Sequence, residues 1–91
     1  MVSRYSVIAR GRVQGVGFRF FVNSLAISYG LTGWVKNRYD GTVQFEVQGP
    51  ESRIRTFLES VREGNRFIRV DELAEEPIPA KIGESAFRTV N

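Results

Sequence analysis

Between Val13 and Phe18 the hydrophobic period of the chain changes from two to about 3.6, with only Gln14, Gly15, Val16 and Gly17 between them. A chain that switches period over so short a stretch must turn sharply from a strand into a helix. The glycines suit the turn because they adopt a left-handed backbone at little cost. Upstream, Tyr5, Val7, Ala9 and Val13 share one parity with Gly11, while Ser6, Arg10 and Arg12 take the other. That alternation predicts a half-buried strand over residues 4 to 13. Downstream, Phe18, Phe21, Val22, Leu25, Ala26 and Tyr29 recur at helical spacing, and Gly30 supplies a stop. The stripe is read as core. Phe20 lies off it, either lining the mouth of a site or, as the better expectation, as a partly buried surface residue.

The stretch GRVQGVGFR, residues 11 to 19, therefore presents backbone N–H groups at the start of a helix, where they and the helix dipole can surround an anion. Arg19 closes the run with a planar fork of donors able to grip two oxygens at once. A cation at a helix N-terminus is unfavourable by itself, so its presence there implies an anion lying between it and the amides. The stretch is expected to cradle a phosphate, although the glycines alone would also suit a purely structural turn. Neither familiar nucleotide signature fits. The dinucleotide fingerprint would need a glycine where Phe20 stands, and the Gly-Lys-Ser/Thr of the P-loop is absent.

Residues 33 to 38 and 42 to 48 read as two strands of a hairpin turning at Asp40 and Gly41. A two-residue turn would set Arg38 opposite Val43 and Lys36 opposite Phe45, placing charge on the apolar face. A three-residue loop with Gly41 left-handed instead pairs Asn37 with Val43 and Val35 with Phe45, and this register is expected. It puts Asn37 on the apolar, helix-covered face at the end of its strand, where an unpartnered buried amide would cost roughly 1 to 3 kcal/mol. By its surroundings alone Asn37 could either tie down a loop or serve a function.

Pro50 at a permissive first helical position and Glu51 beside it predict a second helix, with Ile54, Phe57, Leu58 and Val61 as its apolar stripe and Gly64 as its end. Residues 67 to 73 read as a fourth strand of irregular, bulged alternation, whose acidic stretch from Asp71 to Glu76 forms a solvated edge. Residues 77 to 85 read as a loop, and a short last strand is expected around Phe87 to Val90. The order predicts an α+β fold over residues 1 to 91 as one domain: a ferredoxin-like split βαβ sandwich, βαββαβ plus a short C-terminal strand, with two helices on one face of an antiparallel sheet. In that topology the glycine loop and the Asn37 end of the hairpin meet at one edge of the sheet.

The chain has no Cys and no His. That excludes thiolate and Ser-His nucleophile systems, phosphohistidine, and sulfur- or imidazole-ligated metals. A net charge of +3 favours anionic ligands, while most of the arginines are read as a solvated face. No apolar run approaches membrane-spanning length, and the N-terminus reads as a strand rather than a signal peptide.

GRVQGVGFR followed by GWVKNRYDGTV, residues 33 to 43, closely resembles the two signature stretches of the acylphosphatases, small hydrolases of carboxyl phosphate anhydrides. The likeness covers essentially the whole chain. It implies that Arg19 binds the phosphate together with the backbone amides of Gln14, Gly15, Val16, Gly17, Phe18 and Arg19, and that Asn37 positions the attacking water. Phe20, on the reading that lines it at the mouth of the site, would touch the acyl part of a substrate. Two positions depart from the family pattern: Gln44 stands where Glu is usual, and Thr89 where a bulky apolar residue is common. The expected function is metal-independent hydrolysis of an acyl phosphate by a cytoplasmic monomer without cofactor. Inorganic phosphate or sulfate should compete, and no nucleic acid or membrane partner is expected. The alternatives are a module that senses acyl phosphates without turnover and an RNA-binding module of the same fold. GVGFRFFV, residues 15 to 22, imitates a ribonucleoprotein pattern, but on the first loop and helix rather than on the third strand.

Overall fold

A computed structural model describes residues 1 to 90, and the alternating N-terminal stretch forms strand β1 (Val2–Arg12). The helical stripe forms α1 (Phe18–Ser28), the hairpin forms β2 (Thr32–Asn37) and β3 (Val43–Pro50), and α2 (Glu51–Glu63), β4 (Arg69–Ile78) and β5 (Phe87–Val90) follow. The strands form one sheet in the order β4-β1-β3-β2-β5. All neighbours are antiparallel except β5, which joins β2 in parallel and makes the sheet mixed. This is the ferredoxin-like α+β sandwich that the element order predicts.

One face of the sheet is covered by both helices. Val7, Ala9, Val35, Val43, Phe45 and Val47 meet Phe18, Val22, Ala26, Ile54, Phe57 and Val61 in a single buried core. The Phe57 ring stands edge-on to Phe45 at 5.8 Å and to Tyr29 at 6.4 Å between centroids. Such pairs add to what burial of the rings already contributes.

Two boundaries differ from the sequence reading. Pro50 is the N-cap of α2, with extended φ −60° and ψ 136°, and Glu51 is the first helical residue. β4 runs on through Pro77 to Ile78 instead of ending near residue 73. It is an edge strand, where a missing N–H need not break a ladder. The irregularity expected there is a bulge: Arg10 pairs with Glu72 and Gly11 with Val70, leaving Asp71 as the extra residue.

Arg4 is not part of a solvated face. It sits on the sheet face away from the helices and is 2% exposed. Its guanidinium donates to Glu46 at 2.9 and 3.0 Å, to Glu84 at 2.7 and 3.2 Å, and to the Gln48 side-chain oxygen Oε1 at 3.0 Å. Lys81 N–H donates to the same Gln48 oxygen at 2.8 Å, and Gln48 Nε2 donates back to the Lys81 carbonyl at 2.9 Å. The segment before β5 is thereby laid across the sheet, and Arg4 is caged beneath it. Burial pushes the Glu84 carboxyl up, but hydrogen bonds from Arg4 and Thr32 and the Arg4 charge outweigh it and hold the group below its ordinary range.

A carboxyl depressed in the folded state stabilises the fold above its unfolded pKa, and that contribution is lost as pH falls through the folded value. Glu84→Gln should therefore unfold at lower urea concentration than the wild type at pH 7, with the gap closing below about pH 4. Arg4→Ala, which strands two carboxylates beside a vacated buried site, should cost roughly 3 kcal/mol. Equal urea midpoints for wild type and Glu84→Gln at pH 7 would show that the cage adds nothing.

Candidate active site

The connection from β1 to α1 is built on two left-handed glycines, Gly15 at φ 74° and Gly17 at φ 80°. A Cβ at either position would touch nothing within 4 Å, so backbone conformation rather than space selects glycine here. Gly17 is the N-cap of α1, without a side-chain cap and without an acidic residue in the first turn. The first helical hydrogen bond runs from Phe21 N–H to the Gly17 carbonyl at 3.0 Å. The amides before it have no intrahelical acceptor and gather at the positive end of the dipole.

These residues open onto a cleft of about 370 Å³. Gly15, Gly17, Phe18 and Arg19 line it from the loop and helix, and Asn37 lines it from the end of β2. Of the six expected phosphate-binding residues, Gln14 and Val16 are not in the lining: Val16 packs against the core, and the Gln14 side chain reaches the hairpin. Arg19 is half-buried, and its Nη1 donates to the Val90 carbonyl at 3.3 Å.

The hairpin has the expected register, with Asn37 opposite Val43 and Val35 opposite Phe45. Arg38 N–H donates to the Thr42 carbonyl at 2.9 Å and closes a three-residue loop in which Gly41 takes φ 90°. Asp40 Oδ1 accepts from the Thr42 hydroxyl at 2.6 Å and from the Thr42 N–H at 3.0 Å. Those two bonds, the hydroxyl's first, hold the Asp40 carboxyl below its ordinary range. Asn37 is exposed instead of buried beneath a helix. Its strand end projects to where α1 has only begun, so its amide meets the cleft and has no hydrogen-bond partner among the described residues.

Three side chains escaped the sequence reading. Gln14 Nε2 donates to the carbonyls of Arg38 at 2.7 Å and Thr42 at 2.8 Å, bracing the glycine loop against the hairpin. Nothing in the sequence marks that contact. Asn23 and Thr89 line the cleft, and Asn23 Nδ2 donates to Thr89 Oγ1 and the Phe87 carbonyl, both at 3.3 Å. Asn23 stands four residues after Arg19, on the same helix face, and that spacing was the available signal. Among the described residues no three His, Cys, Asp or Glu side chains gather where a metal ion could be held. No helix among them is long and apolar enough to cross a membrane.

A family model described as Acylphosphatase matches residues 5–89. An acylphosphatase of Clostridium acetobutylicum is 47% identical over 90 residues, covering 99% of each chain. One of Geobacillus kaustophilus is 48% identical over 87 residues, covering 96% of this chain and 93% of the relative. The crystal structure of an acylphosphatase from Bacillus subtilis superposes with a TM-score of 0.92 at 41% identity, covering all of both chains.

Gln14→Ala removes the brace while leaving the hairpin's own bonds in place. It should cost about 1 kcal/mol, lower the melting temperature by about 5 °C, and speed hydrogen exchange at the Arg38 amide more than at amides in the middle of β3. Unchanged exchange at Arg38 would show that the hairpin holds its position unaided.

Proposed function

The chain belongs to the acylphosphatase family and hydrolyses acyl phosphates, and from that premise we propose how it does so. The phosphate is held by Arg19 and the backbone amides of residues 14 to 19, and a water oriented by Asn37 attacks the phosphorus in line with the departing carboxylate. The observation that carries this reading is one cleft in which a half-buried arginine, a left-handed glycine loop and an unpartnered Asn37 amide face the same space.

The chemistry asks little more of the protein. A carboxylate leaving group has a conjugate-acid pKa near ~4, so it departs without a general acid. The loose transition state of phosphoryl transfer spreads charge over the equatorial oxygens, where the Arg19 fork and the amides act on it. The Asn37 amide removes no proton at neutral pH, but it can accept from and donate to a water and fix its direction of approach. Among the described residues no carboxylate lines the cleft. Asp40, the acid closest in sequence to Asn37, is committed to Thr42 and is a weakened base. The water's proton therefore passes to an oxygen of the substrate's own phosphate. Inorganic phosphate or sulfate would occupy the same cradle and compete.

The roles separate experimentally. Arg19→Gln should weaken phosphate binding and lower kcat/KM by about a thousandfold or more. Arg19→Lys should recover little, since an ammonium keeps the charge but loses the fork. Asn37→Ala should keep phosphate affinity near wild type while lowering kcat by roughly a hundredfold. Calorimetry with inorganic phosphate beside kcat, with thermal melts as control, checks both. An Asn37→Ala enzyme with normal turnover would overturn the water-orienting role.

The proposed chemistry uses no metal ion. Exhaustive chelation should leave turnover of an acyl phosphate unchanged, and activity lost on chelation and restored by magnesium would count against the mechanism.

A further inference from the structure

Phe20 is the large apolar side chain that the proposed mechanism leaves unused at the cleft. It lines the cavity together with Arg19 and Asn37, yet is 77% exposed. The other lining aromatic, Phe18, is 1% exposed and belongs to the core. Phe18 and Phe21 pack with ring centroids 6.3 Å apart, whereas the Phe20 ring joins no aromatic pair among the described residues. The next exposed apolar residue on the helix, Ile27, lies about two turns further along and outside the cleft. The apolar surface at this point is thus a single ring, sized for a ligand group rather than for a protein partner.

In-line displacement fixes where that group goes. Asn37 reaches the cleft from the sheet, so a water on Asn37 approaches the phosphorus from the sheet side, and the carboxylate departs on the far side, toward solvent. Phe20, in the first turn of α1, is exposed at the cleft on the helix side. Among the described residues no acidic side chain lines the cleft, and Asn23 is already bonded to β5.

We propose that Phe20 selects the acyl group, and that the enzyme favours acyl phosphates with an aromatic or planar apolar acyl portion over short aliphatic ones. The ring offers one face for stacking and leaves the rest of the acyl group in water. The preference is therefore graded and leaves small substrates acceptable. This inference rests on the placement of phosphate and water argued above.

The test compares kcat/KM for benzoyl phosphate and acetyl phosphate in wild type, Phe20→Ala and Phe20→Leu, since the difference in intrinsic reactivity between the two substrates cancels when their ratio is compared between proteins. The benzoyl-to-acetyl ratio should fall about fivefold in Phe20→Ala, with the differential loss in KM for benzoyl phosphate. Phe20→Leu, which keeps apolar surface without the ring, should give an intermediate ratio. A ratio that stays within about twofold of wild type in Phe20→Ala, including equal losses on both substrates, would overturn the acyl-selecting role while leaving the phosphate site standing. A wild-type protein that hydrolyses neither compound would overturn the catalytic reading beneath it.

Discussion

The antiparallel pairing of β1 with β3 is the constraint on which the site depends. Ala9 lies opposite Val43 and Val7 opposite Phe45, so the C-terminal end of β1 stands beside the N-terminal end of β3. The first end leads into the glycine loop and the second emerges from the hairpin that carries Asn37. A slip of one residue would turn Val43, Phe45 and Val47 out of the core and carry the hairpin away from the loop. Burial on the helix side enforces the register, since all three are fully buried. The apolar core thereby sets the distance between the glycine loop and the Asn37 amide, which no local interaction in either segment could set.

The two helices show what the site costs. The first turn of α2 carries Glu51, which accepts from the Tyr5 hydroxyl at 2.9 and 3.0 Å and pairs with Arg55 one turn on. Hydrogen bonds from Ser3 and Tyr5 lower the Glu51 pKa. The first turn of α1 has no such complement: it carries no acid, and Arg19 stands where a cation is electrostatically misplaced. A bound phosphate would supply the missing negative charge. The start of α1 thus lacks the charge complement that Glu51 gives α2.

What the sequence revealed was whatever local periodicity or a single forbidden register could decide. The change of period at Gly17 placed α1, and the exclusion of Lys36 and Arg38 from an apolar face fixed the hairpin loop and the left-handed Gly41. Contacts between segments distant in the chain were not legible. Arg4 alternates like any outward residue of β1, and its burial depends on Glu84 and the segment around Lys81 crossing the open face. Gln14 reads as one more loop residue until Arg38 and Thr42 are brought beside it. Asn37 was placed on the correct face, but its exposure depends on how far α1 extends over the end of β2, a tertiary quantity. Pro77 suggested a loop because proline usually breaks strands, and the edge position that tolerates it is set by sheet order.

A chain without His or Cys can support this reaction because of where the difficulty of acyl phosphate hydrolysis lies. The leaving group is already a good one, so no proton need be delivered to it. What is left is holding the phosphate and aiming a water, and a backbone turn, one arginine and one amide are suited to both. The same economy limits the site: among the described residues its lining holds backbone amides, a guanidinium, two carboxamides and a hydroxyl, but no acid to protonate an alkoxide as it departs. On the proposed reading the absent acid sets the chemistry as much as the arginine present, and discrimination among acyl phosphates would fall to the side chains at the mouth of the cleft.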